Sequence, residues 1–434
     1  MTMSMTAPVA ALTAVALGCA GAAVATSMTG HHGAPQVRAT APAAPPATAG
    51  DEVARLQQRL RAVPGDWQSW GSLGLDYVQL ARTTINPTYY PKAQQAVDRS
   101  LALNHTDNVV GYAAAAALAA ARHDFRAARS WAQRGLSIDP QSGVLYGALA
   151  DALTQLGDYA GAARAATTME NLDPGTSAEA RLSYAEELRG DLGSATSLMR
   201  DALDDAGSVA DIAFTRFYLG DLAWGSGNAR AALADYAAGA QADPSYAPLI
   251  EGRARAEEAL GQTALALRDF AHVVSIVPQP SYLVEYGELL QATGDSVAAQ
   301  QQYALVRTEE RLFRANGVAL DSDATLFEAD HGSATAAVAI GRQAIITRPF
   351  LDSYDAYGWA LHRAGNNAAA LAMANRALAT GDRNALFHYH RGVIELSLHQ
   401  LAAGRSDLRA ALRINPAFSP LAAPLARRLL GAES

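Results

Sequence analysis

Four histidines, His331, His362, His388 and His390, crowd the last part of a 434-residue chain. With carboxylates around them, metal binding and acid–base catalysis are the first chemistries to test. The spacing argues against both. On a helix, residues two apart project roughly 200° from one another, so His388 and His390 cannot hold one ion between them. The sequence holds no HExxH pair, and His331 stands in Asp330-His331-Gly332, where a turn is expected. Core or capping roles are therefore expected for these imidazoles. Gly225-Ser226-Gly227 opens like a glycine-rich phosphate loop, but it lies between two helical patterns, whereas such a loop follows a strand. A Gly-x-Ser-x-Gly elbow and a Walker lysine are both absent. His31-His32 could bind metal as weakly as any exposed pair. Cys19 is the sole cysteine, so neither a disulfide framework nor a thiolate zinc site is expected. The residues point to no catalytic, cofactor or metal site. The contrasting reading is a small-molecule or metal-binding protein, or an enzyme, that uses the His- and acid-rich C-terminal part.

What must position these residues is a repeat. Pro140, Pro174, Pro244, Pro278, Pro349 and Pro416 are separated by 34, 70, 34, 71 and 67 residues, each one or two periods of about 34. A fixed period of that length is the mark of a helical repeat array. In the stretch from Gly143 to Thr176, Tyr146, Leu149, Ala150 and Leu153 share one face of a first helix. Gly157-Asp158 then supplies a left-handed turn and a helix cap. Ala162, Ala166, Met169 and Leu172 line a second helix, and Asp173-Pro174 closes it. Gly227-Asn228, Gly261-Gln262, Gly294-Asp295, Gly332-Ser333 and Gly365-Asn366 repeat the punctuation. Sustained heptads without such stops would be needed for a coiled coil, and β-branched runs between helices for an α/β fold.

The chain resembles the tetratricopeptide repeat proteins at specific positions. Trp70, Leu73, Gly74 and Tyr77 match that family's first-helix pattern. Ala128, Ala162, Ala232, Ala266, Ala299, Ala337 and Ala370 supply its small second-helix residue, where paired helices approach closely. The resemblance implies an all-α fold, an α-α superhelical solenoid of about ten helix pairs over residues 51–431. A helix at Asp51–Val63 should precede the first pair, and one at Leu421–Leu430 should end the array. Three segments break the period: 82–91, 204–211 and 317–323, the last after an extended helix at Val297–Asn316. Insertions of this kind map to loops, some of them on the binding face. Trp67, Trp70, Tyr77 and Tyr90 of the first repeat are expected to pack between helices.

Residues 1–25 read as a signal-peptide-like or anchor segment. Ala7–Ala25 has no charge, Ala23-Val24-Ala25 has a small-x-small cleavage form, and Ala16-Leu17-Gly18-Cys19 resembles a bacterial lipobox. Against export stands the lack of any Lys or Arg before Arg38. Cleavage, lipidation at Cys19, a retained anchor contacting the membrane, and a cytoplasmic tail all stay open, with an extracytoplasmic array favoured. Residues 26–50 form an Ala/Pro/Thr-rich stretch expected to be a disordered tether.

The net charge of −8 is spread along the chain, and Lys92 is its sole lysine, so no basic face exists for nucleic acid. Carried over from the resemblance, first helices would line a concave groove exposing Asp151, Gln155, Phe217, Asp221, Trp224, Glu251, Arg255, Glu258, Glu288, Asp355, Trp359 and His362. Such a groove is acidic with aromatic islands, and it suits a protein or peptide partner with basic and apolar anchors. The family's carboxylate clamp needs Lys and Asn at these positions, and neither occurs there. The expected function is a non-catalytic interaction scaffold.

Overall fold

In a computed structural model, the described residues, 49–431, form twenty-two α-helices and no strand. The expectations for residues 1–25, Cys19 included, and for most of the 26–50 tether lie outside the described residues. α1 (Ala49–Ala62) leads in. Ten antiparallel pairs follow, beginning with α2 (Trp67–Thr83) and α3 (Tyr89–Leu103), α4 (Val109–Ala121) and α5 (Phe125–Ile138), and α6 (Gly143–Gln155) and α7 (Tyr159–Leu172). Next come α8 (Thr176–Glu187) and α9 (Leu192–Asp204), α10 (Val209–Gly225) and α11 (Ala229–Ala242), and α12 (Ala247–Ala259) and α13 (Thr263–Ile276). The array continues with α14 (Pro280–Ala292) and α15 (Ser296–Ala315), and α16 (Ser322–His331) and α17 (Ala334–Thr347). α18 (Leu351–Arg363) and α19 (Asn367–Ala377), α20 (Ala385–Ser397) and α21 (Leu401–Ile414), and a final α22 (Ala422–Gly431) complete it.

Local chemistry accounts for the pairs. The carboxylate of Asp158 accepts the Gly161 N–H at 2.8 Å, and Asn228 and Asp295 cap α11 and α15 in the same way. The seven alanines expected at close helix contacts are all buried, Ala232, Ala266, Ala337 and Ala370 at 0 % exposure. Two expectations need correction. Gly332 has φ −135°, so its turn is not left-handed; the Glu328 carboxylate instead accepts the Ser333 N–H at 2.9 Å. The 82–91 segment is also shorter as a loop than expected, because Pro91 lies in the first turn of α3. Backbone N–H groups there have no helical partner, so proline costs nothing.

The array does not stay open. It coils back on itself, so the turn inside one pair meets the loop that follows the fifth pair after it. The His123 ring lies 3.1 Å from the Ala319 carbonyl across 196 residues of sequence. Arg348 Nε bonds the Gln155 side chain, and Asn415 Nδ2 donates to the Trp224 carbonyl at 2.8 Å. Two turn glycines are required here. Gly157 (φ +75°) and Gly227 (φ +76°) take the left-handed backbone, and an added Cβ would lie 2.6 Å from the Pro349 oxygen and 2.7 Å from the Ile414 oxygen. The 317–323 insertion belongs to the same seam. Val318 and Phe313 reach across to pack in the core of α1–α4, beside Leu56, Tyr77 and Leu118.

Candidate functional site

At five junctions between successive pairs, an acid on one first helix meets a base or indole on the next. Asp151 on α6 receives Nε and Nη2 of Arg181 on α8 at 2.9 and 2.8 Å. Asp221 on α10 takes Arg255 Nη2 from α12 at 2.7 Å and the Tyr236 hydroxyl at 2.6 Å. Glu288 on α14 lies 3.3 Å from His331 Nε2 on α16. Asp330 accepts the Trp359 indole N–H at 2.9 Å, and Asp355 on α18 pairs with His390 Nδ1 of α20 at 2.8 Å. Asp151–Arg181, Asp221–Arg255 and Asp355–His390 are spaced 30, 34 and 35 residues apart, about one repeat each. Glu288–His331 is 43 because the 317–323 insertion falls between them. The result is a ladder of charge-assisted hydrogen bonds that ties successive repeats together.

This ladder corrects much of the groove expected from sequence. Gln155, Phe217, Glu251, Arg255, Glu288, Asp355 and Trp359 are buried, not displayed. Trp359, 1 % exposed, sits in the largest core cluster, its indole stacked between His390 at 4.2 Å and His362 at 4.9 Å. The physical reason is that an acid and a base one repeat apart find each other before solvent or a ligand does. Asp151, Asp221, Trp224, Glu258 and His362 remain half-buried. Of these, Asp151 and Asp221 serve the ladder, Trp224 lies under Arg255 at 4.7 Å, and His362 Nδ1 meets Asn367 at 2.7 Å. Glu258 forms no ion pair, and burial pushes its carboxyl up to about 7.

The histidines follow the same logic. His331 is driven down to about 3, first by burial and then by Arg307 and Arg363, so its ring is neutral and stacks 4.1 Å from Tyr303. His388 and Arg391 both bond Asp407, at 2.9 and 2.5 Å; these bonds outweigh burial and hold that carboxyl down to about 2. Among the described residues, no group of three or more His, Cys, Asp or Glu is placed to hold a metal ion. A cleft of about 300 Å³ lies between α1, α2 and α3 over Trp70, Leu73 and Tyr77, with Arg61 and Lys92 at its lips.

No protein-family model matches the sequence, and no curated protein matches it. Solved structures do. The APC/C hetero-tetramer Cut9–Hcn1 is similar at 14 % identity over 88 % of this chain and 84 % of that one, with TM-score 0.42. TTC0263, a thermophilic tetratricopeptide protein of Thermus thermophilus, is similar at 20 % identity over 45 % of this chain and 98 % of that one, with TM-score 0.39. A tetratricopeptide protein from Parabacteroides merdae shares 20 % identity over 59 % of this chain and 97 % of its own, with TM-score 0.33. The fold of this chain is a solenoid of the tetratricopeptide type, as its ten pairs, turn glycines and contact alanines show.

Sequence reasoning missed a second set of residues, those along the seam. Arg348 reaches Gln155 and lies 3.7 Å from Asp321, while Asn415 reaches Trp224. Beside them Glu187, Asp352 and Asp382 are half-buried and form no ion pair. Burial and then Asp382, Asp221 and Asp352 push Glu187 up to about 8, and burial is also the leading cause that pushes Asp352 and Asp382 up to about 7. A signal for the seam was present. Of the closing loops that stay outside the seam, three carry Asp139-Pro140, Asp173-Pro174 and Asp243-Pro244 and one Val277-Pro278, whereas two docked loops carry Arg348-Pro349 and Asn415-Pro416.

Proposed function

We propose that the protein is a non-catalytic scaffold that binds a protein or peptide partner through basic side chains. The observation that supports this is a group of half-buried carboxylates that form no ion pair among the described residues, Glu187, Glu258, Asp352 and Asp382 among them, in a chain of net charge −8. Asp151, Asp221 and Asp355 are consumed by the ladder, whereas these four gain from a guanidinium or ammonium group brought by a partner. The test is selection from a displayed library of random peptides against the folded array. Enrichment of Arg- or Lys-bearing sequences, lost in Glu258→Arg, supports the reading; selection of acidic or purely apolar sequences overturns it.

A position outside the cytoplasm, held by residues 1–25, belongs to the same proposal. No helix among the described residues is long and apolar enough to cross a membrane. Membrane fractionation of the full chain and of Cys19→Ser tests it: retention lost only in the variant identifies a lipid on that sulfur.

A further inference from the structure

The seam is tied by polar contacts at its rims and by one apolar cluster in the middle. At one rim Arg348 joins Gln155 and Asp321, and His123 Nδ1 lies 3.5 Å from Asp321. At the other, Asn415 holds the Trp224 carbonyl. Between them the turn at Gly190 meets the loop at Gly381 so closely that a Cβ on Gly190 would collide with the Gly381 oxygen, and the Arg383 side chain lies against the same glycine. One apolar cluster bridges the two turns there, Leu188 against Phe350, Leu351 and Phe387. A recess of about 30 Å³ beside Tyr159, Arg189 and Thr380 has room for water.

Three carboxylates adjoin this bridge from three different elements. Glu187 precedes Leu188 at the end of α8, Asp352 follows Leu351 in α18, and Asp382 follows Gly381 in the loop before α20. Glu187 faces Asp382, Asp352 and Asp221, with the phenol of Tyr184 nearby. Asp352 faces Arg348, Asp382, Asp355, Asp321 and Asp323, together with the phenols of Tyr159 and Tyr184. Asp382 has the Arg383 backbone N–H and the same two phenols. The cation acting on this group is Arg348, and it is already committed to Gln155 and Asp321. We propose that the seam is a pH-operated clasp: it holds the two turns of the coil together at mildly acidic pH and parts as pH rises.

The direction follows from proton linkage. Carboxyls whose closed-state values are raised hold protons that they release when the seam opens to water. Closure is therefore favoured below neutrality and weakened as pH climbs through about 7 to 8, the range in which burial places Asp352, Asp382 and Glu187. Above that range all three are charged in both states, and the closed form carries their mutual repulsion in a poorly hydrated place. The consequence for binding, and only that, rests on the scaffold reading: a parted seam would present these carboxylates to a basic partner.

The test reads conformation and needs no partner, so it stands or falls separately from the scaffold. In a Cys19→Ser background, nitroxide labels at Ser197→Cys on α9 and Ala372→Cys on α19, both exposed, report the distance across the seam. Pulsed electron resonance is expected to show a longer mean distance at pH 9 than at pH 6. In Glu187→Gln/Asp382→Asn, near-isosteric and uncharged, the pH 6 distance is expected to persist at pH 9. Identical distances at both pH values in the parent overturn the proposal, as does an unchanged pH response in the double variant. Loss of far-ultraviolet helix signal in step with the distance overturns it too, because that is unfolding and not an opening clasp.

Discussion

Trp359→Ala separates a core role for that indole from a groove role. The side chain is 1 % exposed, packs on Tyr389 and two imidazoles, and donates its N–H to Asp330. Truncating a buried tryptophan to alanine costs about 3–5 kcal/mol through lost transfer energy and the cavity left behind. Asp330, left with Arg363 at 3.8 Å but without its indole donor, would add about 1–3 kcal/mol if it stayed charged. Burial has already pushed that carboxyl up to about 7, so it can take a proton, and the addition should fall at the low end. The expected loss is about 4–5 kcal/mol at pH 7. Trp359→Phe keeps much of the stacking and loses the N–H, and should cost about 1–2 kcal/mol. An array of pairs need not unfold in one step, so urea titration should be joined to segment-resolved hydrogen exchange. Faster exchange is expected in α16, α18 and α20, with α2–α5 unaffected. A loss under about 1 kcal/mol with exchange unchanged would refute the reasoning and return the indole to an open surface.

Ala232→Asp buries an unpaired carboxylate at a contact of 0 % exposure and should cost about 3 kcal/mol or more, read by urea titration. Gly227→Ala meets both a φ of +76° and the Ile414 carbonyl, so a loss of about 2 kcal/mol is expected, with small-angle scattering showing a wider coil. Acid should act on two places in one direction. Asp407, held at about 2, stabilises α20–α21 above about pH 4, and that contribution is lost as pH falls through 2. His331 is neutral in the fold, held at about 3, so its surroundings lose stability as pH drops from about 6.5 toward 3. Hydrogen exchange across that pH range, corrected for intrinsic rates, checks both, and a flat response in either segment contradicts its assignment.

The ten pairs were legible because each is specified locally. A turn glycine, a capping Asp or Asn and one small alanine recur within a single period, and no distant residue is needed to read them. The groove was not legible for the opposite reason. Whether Asp355 lines a surface or bonds His390 depends on how one first helix is rotated against the next, and a 34-residue period leaves that open. A residue that faces inward in an open array also becomes half-buried once the array coils into contact with itself. Glu187 shows this, raised by Asp382 and Asp352 from a later turn of the coil.

The coil's closure had left one trace in the sequence, and its chemistry explains the trace. A turn inside a pair exposes carbonyl oxygens, at Trp224 for example, and side-chain acceptors such as Gln155. An aspartate brought against such acceptors adds a buried negative charge with no donor to meet it, which is unfavourable. The Asp-Pro closure of the loops after Asp139, Asp173 and Asp243 would therefore be unfavourable at the positions of Arg348 and Asn415. Arg348 and Asn415 are donors, and they stand where the seam requires donors. At these two loops a donor stands before the repeating proline, while the docked loops without that proline carry acids, Asp321 beside His123 and Arg348, and Asp382 next to Gly381.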